Sequence, residues 1–184
     1  MSGTKELPAA SKTLITSTEL RICAESPAHH ADAIEALFDR TFGPGHFAKT
    51  AERLREYNHS LPEFNRIALT PDGDIAGVCR VWPIWIETGG KALFFGPVAV
   101  APGHRGEKLG LAVTRASIDA AVAAGWNFGV LIGHPGYFGE IGFEPTPNRF
   151  TFPGPQDQAR VMSLALNSVG TNDYSGRVSA HPIY

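Results

Sequence analysis

The sequence predicts an α/β fold: one mixed, mostly antiparallel sheet with helices on its faces. Three observations predict it. Segments with strand patterning alternate with segments of helical spacing along the chain. A meander of three strands is punctuated by two turn signals, Pro71-Asp72-Gly73-Asp74 and Gly89-Gly90. An apolar strand ending at Val100 then runs through a glycine-rich, basic loop into a helix.

Taken in order, Leu20 to Ala24 reads as a short strand. Ser26-Pro27 starts a helix, with Ser as the cap and Pro in the first turn. Ile34, Leu37, Phe38 and Phe42 supply its buried face, and Gly43-Pro44-Gly45 ends it. Phe47 to Tyr57 reads as a second helix. Glu52, the Arg53/Arg55 pair and, further on, Asp119 read as solvated helix faces. Asn65 to Thr70, Ile75 to Ile86 and Lys91 to Val100 are the three strands of the meander. A helix follows to about Ala124, capped by Gly125. Phe128 to Gly133 is a buried strand, a helical turn surrounds Tyr137, and Arg160 to Leu166 is a last strand before a polar loop to the end.

The chain has 184 residues, of which 43% are apolar and 18% charged, with a net charge of -2. That length favours one domain, residues 19–184, behind a loose tail over residues 1–18, and can bury roughly 70% of the unfolded surface. The small negative charge excludes a broad basic field for nucleic acid or an anionic membrane. Cys23 and Cys79 are far apart without CxxC spacing, which fits reduced thiols in a cytoplasmic protein. The tail lacks the apolar block of a secretory signal, and no run is apolar enough for a membrane span. The apolar strand Val161 to Leu166 is a candidate edge for a homodimer.

The most informative stretch runs from Phe94 to Gly110. The first amides of its helix have no internal partners and stand at the positive end of the helix dipole, which suits a diphosphate. Arg105 adds a planar cationic fork. An ordinary strand-to-helix turn with solvated charges has the same look. Pro97 cannot donate to a neighbouring strand and marks an edge or bulge. A bulge there would splay this strand from the next and leave Val98 and Val100 open to an extended, amide-bearing arm. Coenzyme A combines a diphosphate with such an arm.

Val100-Ala101-Pro102 followed by Arg105 to Gly110, and then Leu131 to Phe143, resemble the central motifs of the GNAT superfamily of N-acetyltransferases. With Gly176 to Pro182 they resemble its YhbS-like branch. The resemblance covers about Leu20 to Tyr184. It implies a V-shaped opening between the fourth and fifth strands that holds acetyl-CoA. Val98, Ala99 and Val100 would face the pantetheine and thioester, and Arg105, Gly106, Lys108, Leu109 and Gly110 the diphosphate. The implied reaction is direct transfer of an acetyl group to a primary amine of a small molecule or peptide, in a ternary complex.

Two positions depart from the family pattern. Lys108 stands where glycine is usual, a substitution that a regular helix start would accept without strain. Phe138 stands five residues before Phe143, where many members carry the tyrosine that protonates the leaving thiolate. Tyr137 is its neighbour, but adjacent helical residues point about 100° apart, so it is no simple replacement. Tyr137 is nevertheless the first candidate proton donor, with packing beside Phe138 and Phe143 as the structural alternative. His134, at a strand end near the thioester, is the candidate relay, or else a turn residue before Pro135. His104 and the His29-His30 pair read as solvated, and no histidine has partners at metal-ligand spacing, so no metal is expected. Trp82, Pro83 and Trp85 serve as acceptor-pocket walls or as core, and Glu87 is a weak candidate base. The alternative reading is a catalytically impaired GNAT fold that binds or senses acyl-CoA.

Overall fold

A computed structural model of the chain describes residues 19–43, 53–168 and 170–181. The predicted tail, most of the predicted Phe47–Tyr57 helix, Pro44, Gly45, Glu52 and Pro182 lie outside the described residues. The elements in chain order are β1 (Arg21–Ala24), α1 (Pro27–Phe42), β2 (Arg66–Leu69), β3 (Ile75–Thr88), β4 (Gly90–Val100) and α2 (Leu109–Ala123). They are followed by β5 (Phe128–Ile132), α3 (Pro135–Phe138), β6 (Glu144–Pro145), β7 (Phe150–Thr151), β8 (Val161–Ala165) and β9 (Ser175–Ala180).

The strands form the mixed sheet that the sequence predicts, in the order β1-β2-β3-β4-β5-β8-β6. All neighbours on this path are antiparallel except β4 and β5, which are parallel. The turn glycines explain the meander. Gly73 has φ 89, and Gly89 and Gly90 have φ 102 and 85, a region costly for residues with a β-carbon. At Gly89 a β-carbon would also stand 2.2 Å from the ring of Tyr174.

The helices cover opposite faces. Ile34, Leu37 and Phe38 of α1 pack with Ile67, Val78 and Ala99 on one face. Leu109, Leu111, Val113 and Ile118 of α2 pack with Cys79, Phe95 and Leu131 on the other. Ser26 is the N-cap of α1 with Pro27 in the first turn, but its side chain makes no capping bond. Instead its backbone N–H donates to Nδ1 of His30 at 3.0 Å, so His30 is a half-buried cap partner rather than a solvated residue.

The end of the chain differs from the sequence expectation. Ser175 to Ala180 is not a polar loop but β9, which pairs with β3 from Ile84↔Ala180 to Thr88↔Ser175. The reason lies in β3: its pairing with β2 ends at Cys79, leaving that edge open further on. Only Val178 of β9 is buried, so the strand is held by ladder bonds that its own pattern does not announce. Strand β8 lies between β5 and β6, with Val161 and Met162 fully buried, and is not a free edge.

Candidate active site

The site begins where β4 and β5 part. Their parallel pairing covers only Leu93↔Gly129 and Phe94↔Val130. Just beyond, the register between β3 and β4 shifts: Cys79 faces Val98 and Val81 faces Phe95, so Gly96 and Pro97 together oppose Arg80. This is the bulge that Pro97 marks in the sequence. Arg80 is held there by Glu25, through Nε at 3.1 Å and Nη2 at 2.9 Å, and by Glu35. The side chain of Asn65 accepts the N–H of Val81 at 2.8 Å and donates to Glu25 at 2.8 Å, so the strand stays bonded where β2 has ended.

Beyond the bulge, β4 keeps its partner on one edge only. Ala101 N–H donates to Ala76 at 2.8 Å, toward β3. Backbone groups alternate along an antiparallel strand, so those of Ala99 also face β3 while those of Val98 and Val100 face the opening. Ala99 is thereby corrected as a site residue: its backbone serves the sheet and its buried side chain packs on the α1 face. The half-buried side chains of Val98 and Val100 pack on the α2 face.

The opening is a cleft of about 580 Å³. Phe95, Val98, Val100, Gly110 and Tyr137 line it on the α2 side, and Phe94, Ile132 and Arg55 on the other. It therefore passes between the strands from one face of the sheet to the other.

The glycine-rich loop leads into α2 as predicted, with Gly106 at φ 93 and open space around it. Arg105 is exposed beside it. Leu109 buries its side chain in the core, so it can offer a ligand only its backbone. Lys108 differs from expectation. It is not a regular helical residue but the N-cap, at φ 55 and ψ 22. That left-handed conformation explains why glycine is usual here, and costs a residue with a β-carbon about 1 kcal/mol. Its ammonium pairs with Glu140 at 2.5 Å rather than standing free for an anion, while Glu107 lies 3.7 Å from His104.

Tyr137 and Phe138 divide their roles in a way the spacing rule alone misses. Phe138 is 9% exposed and belongs to the core with Ile141 and Phe143. Tyr137 is half-buried, with its ring at right angles to Phe138 and its hydroxyl over Gly110 at the start of α2. Both residues line the cleft, and Tyr137 is the one that brings a hydroxyl to it. His134 is the exposed N-cap of α3, also on the cleft wall, and its carbonyl accepts the N–H groups of Tyr137 and Phe138 at 3.0 Å each. Glu87 is instead committed to β9, accepting the N–H of Arg177 at 3.0 Å.

A family model described as the acetyltransferase (GNAT) family matches residues 31–131, more than half of the chain. The chain belongs to the GNAT acetyltransferase family. The GNAT fold is seen again in solved structures. YhbS from Escherichia coli, described in complex with CoA, is 24% identical with a TM-score of 0.74, over 92% of this chain and 94% of that one. A GNAT acetyltransferase from Brucella melitensis, described in complex with acetyl-CoA, is 24% identical with a TM-score of 0.65, over 89% and 97%. Arylalkylamine N-acetyltransferase 2 from Aedes aegypti is 15% identical with a TM-score of 0.58, over 81% and 100%. None of the proteins of curated function matches the chain in sequence.

Within this GNAT fold the sequence missed one wall of the cleft. Arg55, read as a wet helix face, is half-buried there with its guanidinium 5.6 Å from the ring of Trp82. Trp82 is core, 9% exposed, whereas Trp85 lies outside it against His181. Gln156, Asp157 and Arg160 also line the cleft. Gln156 and Asp157 come from a segment without strand or helix periodicity, whereas Arg160 stands at the start of the predicted strand Arg160 to Leu166. Among the described residues no group of three or more His, Cys, Asp or Glu could hold a metal ion, and no helix is long and apolar enough to cross a membrane.

Proposed function

We propose that the chain is an N-acetyltransferase that moves an acetyl group from acetyl-CoA to a primary amine by direct attack within a ternary complex. The observation that carries this reading is the continuity of the cleft. It joins the unpaired edge of β4 at Val98 and Val100 to the first turn of α2, beneath the hydroxyl of Tyr137. The residues fit the cofactor. Val98 and Val100 present backbone groups to its peptide-like arm. The amides at Leu109 and Gly110, with Arg105 and the open backbone at Gly106, suit the diphosphate. When bound, acetyl-CoA supplies an activated thioester.

The protein's part is placement and proton management. A cleft that passes between the strands brings an amine from the Arg55 side to a thioester on the α2 side, and such positioning supplies a large share of the rate. The Val98 N–H donates to the carbonyl oxygen as that atom gains charge. As the N–C bond forms and the C–S bond breaks, Tyr137 gives its proton to the departing sulfur. His134, on the cleft wall, takes the proton that the nitrogen sheds. We further place the protein in the cytoplasm, in keeping with its free thiols.

Calorimetric titration with acetyl-CoA tests the reading, with desulfo-CoA and ATP as controls. Selective micromolar binding, followed by amine-dependent thiol release, is the expected result. Absence of acetyl-CoA binding overturns it. Binding without release to any amine favours an acyl-CoA sensor instead.

A further inference from the structure

Strand β3 changes partners around the bulge, and side chains fill the gap. Its pairing with β2 ends at Cys79, and its pairing with β9 begins at Ile84. From Arg80 to Pro83 no described strand pairs along that edge, and Arg80 is the residue that Gly96 and Pro97 oppose. The segment before β2 meets the backbone groups left there. The Val81 N–H donates to the side-chain carbonyl of Asn65 at 2.8 Å, and the Val81 carbonyl accepts the N–H of Leu61 at 2.8 Å. The Pro83 carbonyl accepts from the side chain of Asn58 at 2.8 Å.

Asn65 is the centre of this splice. It is fully buried and its side chain is bonded at both ends: besides accepting from Val81, it donates to Glu25 at 2.8 Å and to Ser60 at 3.0 Å. Glu25 in turn holds Arg80 by two bonds, at 3.1 and 2.9 Å. One chain of hydrogen bonds thus fixes both β3 residues at the bulge, Arg80 by its side chain and Val81 by its backbone.

Burying these groups is an inefficient route to stability, because apolar residues of the same volume serve as well or better. What a satisfied polar network supplies is a single geometry. The geometry here is that of the bulge. The N–H of Val98 belongs to the Pro97–Val98 peptide, inside the bulge, whereas Val98 to Val100 stay paired with Cys79 to Gly77. The direction of that one N–H therefore depends on how β3 is held at Arg80 and Val81.

Building on the N-acetyltransferase reading, we propose that Asn65, Glu25 and Arg80 are positioning residues for acetyl transfer: they hold β3 opposite the bulge and so aim the Val98 N–H at the thioester oxygen. None of the three lines the cleft. They act through the backbone, and on the transition state more than on donor binding, because the contacts offered at Val100 and α2 lie outside the bulge.

The test separates positioning from stability in the full chain. Asn65→Ala removes the bond to Val81, and Glu25→Met/Arg80→Met replaces the charged pair without leaving an unpaired charge. If Asn65→Ala does not fold, the double variant carries the test. Ile84→Val is the control, since it thins the core under the same strand away from the bulge and the cleft. All are assayed where urea unfolding shows them folded. Each brace variant should lose about tenfold or more in kcat, part of what complete loss of an oxyanion donor costs. KM for acetyl-CoA should change by less than about threefold, as for an interaction made only in the transition state. Ile84→Val should keep the parent kcat. A parent-like kcat in either folded brace variant, a loss confined to KM, or an equal loss in Ile84→Val overturns the proposal.

Hydrogen exchange over Leu93 to Val100 reads the brace without turnover. Relative to Phe128 to Ile132 of β5, that segment should exchange about tenfold faster or more in the brace variants and not in Ile84→Val. That result with no amine acetylated by the parent supports the brace, and only the transfer reading fails. Unchanged relative exchange overturns the brace whatever the turnover.

Discussion

The hydroxyl of Tyr137 lies 2.8 Å from the point where a β-carbon on Gly110 would stand. The side chains of Val98 and Val100 are each 3.5 Å from that same point. Gly110 therefore keeps the first turn of α2 close to both the β4 edge and the proposed proton donor. Its backbone φ is not in the left-handed region, so the requirement is one of space. Gly110→Ala should leave folding nearly intact, because the phenol can swing away, while displacing Tyr137 from the cleft. Expected is a fall in kcat of about tenfold or more, in line with a misplaced catalytic group. Paired steady-state kinetics and urea unfolding check this, and an unchanged kcat means that the present position of Tyr137 is not needed.

Tyr137→Phe removes the hydroxyl and little else. It should lower kcat by about a hundredfold, the lower range for a general acid, and leave acetyl-CoA affinity unchanged. Phe138→Tyr should not rescue it. Phe138 is core, and a buried hydroxyl there costs about 1–3 kcal/mol without a partner. The double variant should be as slow as the single and less stable. Full activity in Tyr137→Phe removes this residue from the mechanism.

The sequence made the meander, the loop and the bulge legible because each rests on a local rule. Pro97 cannot donate, Gly89-Gly90 turns the chain, and Val100 to Gly110 joins a strand to a helix. Residue-by-residue direction was harder. Tyr137 and Phe138 are distinguished by what each side chain meets: Phe138 packs in the core with Ile141 and Phe143, and the Tyr137 hydroxyl stands over Gly110. Arg55 was illegible for the opposite reason: an arginine on a polar helix face carries no mark of the tryptophan beneath it. Strand β9 was missed because its partner, the open edge of β3, is some ninety residues away in sequence, as in the Trp85↔Ser179 pair.

Lys108 and Arg105 separate fold strain from ligand binding. Lys108→Gly removes a left-handed β-carbon, a gain of about 1 kcal/mol, and breaks an exposed pair with Glu140 that is worth between about 0 and 1 kcal/mol. The variant should be no less stable than the parent in urea unfolding. Clear destabilisation would mean that the Lys108–Glu140 pair contributes more than its exposure allows. Arg105→Ala should not change stability and should weaken acetyl-CoA binding by about tenfold, the loss of one charged hydrogen bond.

The two thiols should differ in reactivity. Cys79 is fully buried, and burial pushes its pKa up to about 11 despite neighbouring Ser117 and Thr114, so it stays a thiol at pH 8. Cys23 is half-buried at β1. Iodoacetamide at pH 8 should label Cys23 first, and Cys79 only on unfolding, as peptide mass mapping can read. Prompt labelling of Cys79 would show that the α2 face opens in the native state.

The Glu25–Arg80 pair should be worth far more than Glu35–Arg80, although both bonds reach the same guanidinium. The side chains of Arg80 and Glu25 are 11% and 2% exposed, whereas that of Glu35 is 49% exposed. Burial opposes the charge on Arg80, but hydrogen bonds first from Glu25 and then from Glu35 outweigh it and raise its pKa. Glu25 also accepts from Asn65, whose other amide atom holds Val81 beside the bulge. Glu25→Ala leaves a poorly solvated cation and an unpaired amide, and should cost about 3 kcal/mol. Glu35→Ala removes a partner at the surface and should cost less than about 1 kcal/mol. Replacing both buried charges, in Glu25→Met/Arg80→Met, should recover part of the Glu25→Ala loss, since no uncompensated charge is then left inside. Urea unfolding of the three variants decides it. Equal losses for the two glutamates would mean that the network is solvated in solution and does not brace the bulge from which the cleft opens.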